Sequence, residues 1–403
     1  MKVASIGEAD YGGAGMSALK LHNEFVRQGL NSKFYVNRKT VDMDSVIQIP
    51  DRLGTSAAPF KIGQYKTITT DVPFTTGLSS KCPDFLESVW QESDVVLLRW
   101  SSVSVSDFVV SRWSNKSKPL VWCLSDMAPI TGGCHYSMGC DKFESYCRPC
   151  PHVGPDSVHD PFRVLNRRLK LWNKIVFVSP SKWLGDLVSS SSIGRDKDVR
   201  VIQTGVELDV FKPYDVNLQK RKYNLDPTKP VILFGAASVD DSRKGFKYLP
   251  ELVNILNEYF DMKNKYSVLV IGGGSPDLDL LNCDVTVTGH IKDRHELARA
   301  YSASDITLLP YVEDNLPNVC LESFACGVPV VAFSIGGMPD VVRPGINGEL
   351  ASPFDVWELA HKLKMCIDNP LSKISVRKWS EKNINIADRA IEYKDLFTEL
   401  KYK

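Results

Sequence analysis

A strand-and-helix alternation that runs twice along the chain constrains the fold more than any other feature. Short apolar runs at 2–6, 34–36, 95–98, 120–124, 174–178 and 199–202 read as strands, and a helical segment at about 16–28 follows the first. A second series stands at 231–235, 268–271, 285–288, 306–309 and 328–333. Short continuous apolar runs are what strands covered on both faces show. Separated by helical segments, they argue a parallel sheet with helices on both faces, built twice. The expected division is a Rossmann-like domain at 1–205, a second at 206–385 and a terminal helix at 386–403, the boundary falling where TGVELDVFKP, 204–213, turns polar.

The chain has 403 residues, long for one domain and comfortable for two. Hydrophobic residues make up 43% and charged residues 24%, as in water-soluble globular proteins. A net charge of +1 offers nucleic acid no bulk attraction. No run reaches the roughly 18 apolar residues of a membrane helix. The start, MKVASIGEADYGGAG, lacks the apolar stretch of a secretory signal, so a cytoplasmic location is expected.

The densest chemistry lies at 314–337, DNLPNVCLESFACGVPVVAFSIGG. Asn315, Pro317 and Asn318 suit a helix entry. A short helix over 319–326 then closes at Gly327 and Pro329. The apolar run after it is a buried strand, ended by Gly336 and Gly337. Such a unit presents backbone N–H groups to an anion at the helix start. It holds one carboxylate before the helix and one inside it. A phosphate plus several hydroxyls is what a nucleotide-sugar presents.

This arrangement resembles the donor-binding segment of family 4 glycosyltransferases. The resemblance implies the GT-B fold, in which two Rossmann-like domains face a cleft and the last helix crosses back to the first domain. The family's paired acidic residues map onto Asp314 and Glu322, with Asp in place of the usual first Glu and Glu313 beside it as a substitute. Glu322 is then implied to accept hydrogen bonds from ribose hydroxyls. Asp314 would face the sugar ring, with the backbone of Asn315, Leu316, Pro317, Asn318 and Val319 near sugar and phosphates. The family's R-K-G string maps onto Arg243, Lys244 and Gly245, which places Lys244 on the donor diphosphate and Arg243 beside it. Ser238 stands where the family usually has an Arg. Gly289 and His290 resemble the loop that meets the nucleobase. The glycine-rich loop carrying Gly13 and Gly15 would lie by the donor phosphates and the acceptor. Asp126 and His135, near the end of the 120–124 strand, are candidates to meet donor sugar or acceptor.

The resemblance also implies retention of anomeric configuration, a UDP- or GDP-type sugar donor and no catalytic metal. The acceptor would be a sugar or lipid-linked oligosaccharide. The common uses of the family are surface polysaccharide, O-antigen and lipopolysaccharide synthesis, which would bring the chain to the inner membrane face as a peripheral contact. A same-fold epimerase, a non-catalytic sugar or nucleotide binding module and a dinucleotide oxidoreductase stand as alternatives. Against the last, Gly12-Gly13-Ala14-Gly15 does not have G-x-G-x-x-G spacing, and no acidic residue ends the second strand.

Cys134, Cys140, Cys147 and Cys150 crowd a short insertion at about 131–152. In a reducing compartment four thiols this close read as a structural zinc site, with two disulfides or four free thiols as the other readings. An iron–sulfur cluster fits less well, because no other feature points to redox work.

Overall fold

The computed structural model describes residues 1–50, 73–78, 80, 82–101, 104–153, 160–275 and 277–403. The chain divides into two compact units, one of residues 1–203 with 387–403 and the other of residues 204–386.

The first unit carries seven parallel strands. They are β1 (Lys2–Ala9), β2 (Asn31–Arg38), β3 (Val46–Gln48), β4 (Val95–Leu98), β5 (Leu120–Cys123), β6 (Val176–Ser179) and β7 (Asp198–Val201), in the order β3-β2-β1-β4-β5-β6-β7. The order reverses between β1 and β4, the place where doubly wound sheets bind ligands at their carboxyl ends. The central strands β4 and β5 are buried along their whole length, which is why their sequences do not alternate. Trp90 and Trp113 stack at 5.2 Å in this core.

The second unit repeats the plan with six parallel strands. They are β8 (Val231–Ser238), β9 (Ser267–Gly273), β10 (Asp284–Gly289), β11 (Ile306–Leu309), β12 (Val330–Phe333) and β13 (Gly348–Ala351), in the order β10-β9-β8-β11-β12-β13. Its reversal falls between β8 and β11. Because every strand is parallel, the loops after β8, β9, β10, β11 and β12 all emerge on one edge. Val206 and Asn385 form an isolated parallel bridge that joins the two ends of this unit.

The helix Ile386–Tyr402 belongs almost wholly to the first unit. Phe25 meets Tyr393 at 6.0 Å and Phe397 at 5.8 Å, and the Tyr393 hydroxyl lies 3.0 Å from Cys123 Sγ.

Three local differences from the sequence reading have physical reasons. The first helix starts at Gly12 rather than near residue 16, so the glycines form its first turn instead of a loop. Gly15 lets that turn sit on β1, since a Cβ there would stand 2.6 Å from the Ala9 carbonyl oxygen. The helix expected at 319–326 runs Asn318–Ala325. Strands β3 and β13 escaped the pattern because they are three and four residues long and only partly buried.

Candidate active site

In the second unit the loops after β8 and β11, either side of the sheet reversal, meet in an ion pair. Lys244 Nζ stands 2.6 Å from Asp314 Oδ2, both side chains being largely buried. The Lys244 ammonium also lies 4.3 Å from the centre of the Tyr311 ring, a cation–π contact. The local chain has little freedom to do otherwise. Asp241 caps the turn Ser242–Lys244 by accepting from the Arg243 amide, and Gly245 follows at φ +72°. A Cβ on Gly245 would stand 1.8 Å from the Pro310 carbonyl oxygen, so only glycine lets the two loops touch. The Val312 amide then donates to the Arg243 carbonyl at 2.7 Å. The Arg243 guanidinium pairs with Asp241 at 2.6 Å.

Asp314, Asn315, Leu316 and Pro317 are buried and lead into the helix Asn318–Ala325, whose first residues, Asn318 and Val319, are half-buried. Gly336, after β12, presses on this approach: a Cβ there would stand 1.8 Å from the Asp314 carbonyl oxygen. Glu322 Oε2 accepts from the Tyr301 hydroxyl at 3.0 Å. Burial first, and the Glu322 carboxylate second, push the Tyr301 phenol well up, so it remains a neutral donor. Tyr311 is pushed well up by burial and then by Asp314, and its hydroxyl donates to the Gly235 carbonyl. Gly289, at φ +68°, ends β10 at the same sheet edge, with an exposed His290 next to it. Ser238, at the end of β8, accepts from the Asp240 amide at 3.3 Å.

Sequence reasoning did not single out Tyr301 and Tyr311. Both are core tyrosines, and only packing shows that Tyr301 supports the Glu322 carboxylate and that Tyr311 lies against the Lys244 ammonium. Nor did it single out Arg294, which grips Glu207 with its two terminal guanidinium nitrogens, Nη1 and Nη2.

In the first unit Asp126 and His135 form a buried dyad, with Asp126 Oδ2 2.6 Å from His135 Nδ1. Trp100 Nε1 donates to the same Asp126 oxygen at 2.8 Å, and the Ala128 amide donates to Oδ1 at 2.9 Å. His135 Nε2 lies 3.3 Å from the Thr75 hydroxyl. Burial works to raise the Asp126 carboxyl, but His135 and these donors outweigh it and hold it below the usual carboxylate range. Trp100 and Thr75 were not visible as partners in the sequence, since both reach the dyad from other segments. Gly13 and Gly15 open the helix Gly12–Arg27 at the end of β1, Gly13 exposed and Gly15 buried.

Cys134, Cys140, Cys147 and Cys150 line one small cavity with His152. Their thiols are free, and among the described residues no group of three or more His, Cys, Asp or Glu side chains converges closely enough to hold a metal ion. Burial pushes the Cys147 thiol up to about 12.

Residues 229–369 match the family described as Glycosyl transferases group 1. The matched stretch lies within the second unit. It holds Lys244, Asp314, Glu322 and every strand of the second unit's sheet. A D-inositol 3-phosphate glycosyltransferase of Mycobacterium sp. (strain JLS) is 31% identical over 187 residues, 43% of this chain and 40% of that protein. The chain thus spans about two fifths of the length of the curated relatives it matches first. Sucrose-phosphate synthase from Thermosynechococcus elongatus superposes with a TM-score of 0.71 at 18% identity, over 99% of both chains. HepE of Anabaena, solved in complex with UDP-glucose, superposes with a TM-score of 0.67 at 14% identity, over 99% of this chain and 100% of that one. At such identities the likeness speaks for the fold, which is GT-B: two doubly wound parallel-sheet domains.

Proposed function

We propose that the chain is a retaining glycosyltransferase that moves a sugar from a nucleoside-diphosphate sugar to a hydroxyl acceptor. The observation that carries this reading is the Lys244–Asp314 pair at the sheet reversal, beside the start of the helix Asn318–Ala325, inside the stretch that matches group 1. In this reading the second unit is the donor domain and the first unit the acceptor side. Glu322 holds the ribose hydroxyls, and Asp314 faces the sugar. Asn315, Leu316, Pro317, Asn318 and Val319 supply backbone near sugar and phosphates, and Gly289 and His290 approach the base.

Departure of the nucleoside diphosphate builds negative charge on its β-phosphate. Fixed positive groups that stabilise this charge lower the barrier. Lys244 has that role, exchanging Asp314 for the phosphate, with Arg243 beside it. The acceptor hydroxyl attacks the anomeric carbon from the face the phosphate leaves, the carbon–phosphate oxygen bond breaking and the hydroxyl proton passing to the departing phosphate oxygen. Asp314 and Glu322 position the donor and perform no covalent step. Asp126 and His135 take the acceptor or donor sugar on the first unit, with Gly13 and Gly15 near the phosphates. HepE, solved with UDP-glucose, favours a UDP-type donor over GDP. A sugar or lipid-linked oligosaccharide acceptor in surface polysaccharide, O-antigen or lipopolysaccharide synthesis follows from the family resemblance. So does work in the cytoplasm with peripheral contact at the inner membrane face. Among the described residues no helix is long and apolar enough to cross a membrane.

Ser238, where the family usually has an Arg, favours a second reading, a module that binds a nucleotide-sugar without turning it over. A thermal-shift panel with UDP, GDP, ADP, their sugar conjugates and NAD tests the first step. A ligand at about 100 times its dissociation constant adds roughly 2.7 kcal/mol and raises the melting temperature by a few degrees. A shift with one nucleoside diphosphate series is expected. A shift with NAD alone would overturn the transferase reading, and binding without release of nucleoside diphosphate in the presence of acceptors would favour the binding module.

A further inference from the structure

The four-cysteine insertion lies between β5 and the helix Pro161–Leu171, and its cysteines have no part in the proposed transfer. Its thiols surround a cavity of about 10 Å³, the space of a single small ion or water. Three observations bear on what this cavity is for.

First, the backbone turns toward the sulfurs. The Gly132 amide donates to Cys147 Sγ at 3.2 Å, and the Lys142 amide donates to the Cys140 thiol. Amide donors of this kind stabilise negative charge on sulfur, which a neutral thiol does not carry. Second, His152 lines the same cavity and is 5% exposed. Its Nε2 lies 2.8 Å from the Ser137 carbonyl oxygen. A carbonyl only accepts, so Nε2 carries a proton, and in the neutral ring Nδ1 carries the lone pair. That Nδ1 is buried and has no hydrogen-bond partner. An unpaired buried acceptor costs about 1–3 kcal/mol, and a ring whose other nitrogen donates to a carbonyl is how a metal-binding histidine is held. Third, sulfur and imidazole donors around a site this small select zinc among common metals.

We propose that this cavity is a structural zinc site filled by four of the five donors Cys134, Cys140, Cys147, Cys150 and His152, with His152 Nδ1 among them. The thiols ring the cavity without converging to ligand distances, so binding draws them inward. Each cysteine that binds gives its Sγ proton to water, and no electrons move. The site pins a loop that matters elsewhere. Cys134 pairs with Phe74 in an antiparallel bridge, the Thr75 amide donates to the Gly133 carbonyl, and His135 follows directly. Zinc would therefore hold the Asp126–His135–Thr75 group in place without touching it.

The test is elemental analysis of the full chain, purified in reducing buffer without chelator and then reconstituted with zinc sulfate. About one zinc per chain is expected. His152→Ala and Cys147→Ser should each weaken binding of added zinc at least tenfold. Removing the metal with a chelator should speed hydrogen exchange across residues 126–152. Should Cys147→Ser fail to fold, cobalt(II) added to the unaltered chain carries the test, through a thiolate-to-cobalt charge-transfer band and tetrahedral ligand-field bands. The proposal is overturned by a chain that takes up neither metal, by iron in place of zinc, by two disulfides in the reduced-buffer protein, or by His152→Ala holding zinc as tightly as the wild type.

Discussion

At the scale of single residues, the proposed site is a set of charges that each have a built partner. Glu322 is held by Tyr301, a phenol kept neutral by burial, so its carboxylate can accept from a ligand without losing its support. Glu322→Ala should therefore cost nucleotide binding about 1.5–3 kcal/mol, the worth of a charge-assisted hydrogen bond. Titration calorimetry with UDP measures this, and unchanged affinity would remove Glu322 from the site. His22 allows a second statement, independent of function. It is fully buried between the hydroxyls of Ser32 and Ser45, at 2.9 and 3.0 Å, and burial lowers it to about 4. An unfolded histidine titrates near 6.5. The folded state thus binds fewer protons between these values, so His22 contributes stability in full above about pH 6.5 and loses it as pH falls toward 4. The loss amounts to about 3 kcal/mol by linkage. Denaturant melts of His22→Gln from pH 7 to 4 should show a pH dependence flatter by about that amount; parallel curves would refute the assignment.

At the scale of elements, the two loops that form the Lys244–Asp314 pair approach as closely as backbone allows. Gly245 sits in the left-handed region, and a Cβ there would overlap the Pro310 carbonyl oxygen at 1.8 Å. Gly245→Ala should cost at least 1–3 kcal/mol of stability and weaken donor binding as well, because the loop carrying Lys244 must retreat. Gly13→Ala is the contrast. A Cβ there meets nothing within 4 Å and its φ is ordinary, so stability should change by no more than about 0.5 kcal/mol. Thermal melts of the two variants compare them directly. Equal effects would mean that the glycines serve chain flexibility rather than close approach.

At the scale of the whole molecule, the last helix decides which unit the chain's end supports. Phe397 is fully buried against Phe25 and Tyr393, and Glu399 pairs with Arg200 at 3.0 Å, all within the first unit. Phe397→Ala should destabilise that unit by about 3–5 kcal/mol through the cavity left behind. Hydrogen exchange should rise across residues 1–203 and leave 204–386 unchanged. Uniform acceleration in both units would show that the chain unfolds as one cooperative body.

Much of this protein follows from local sequence alone. The central strands β4, β5, β11 and β12 are continuous apolar runs because both faces are covered, so they announce themselves without any knowledge of their neighbours. The segment 314–337 shows its helix start, its two carboxylates and its buried strand for the same reason: each signal is written within a few residues. The four cysteines declare a cluster by spacing, but not that His152 joins them, because its unpaired Nδ1 exists only once Ser137 has taken Nε2. Likewise Tyr301 and Tyr311, Trp100 and Thr75 acquire their roles from segments far away in the chain. Strand order, the reversal that brings the β8 and β11 loops together, and the glycines that permit the contact were decided by tertiary structure. Pairing between distant segments depends on which surfaces are left to bury, and no short stretch of sequence carries that information.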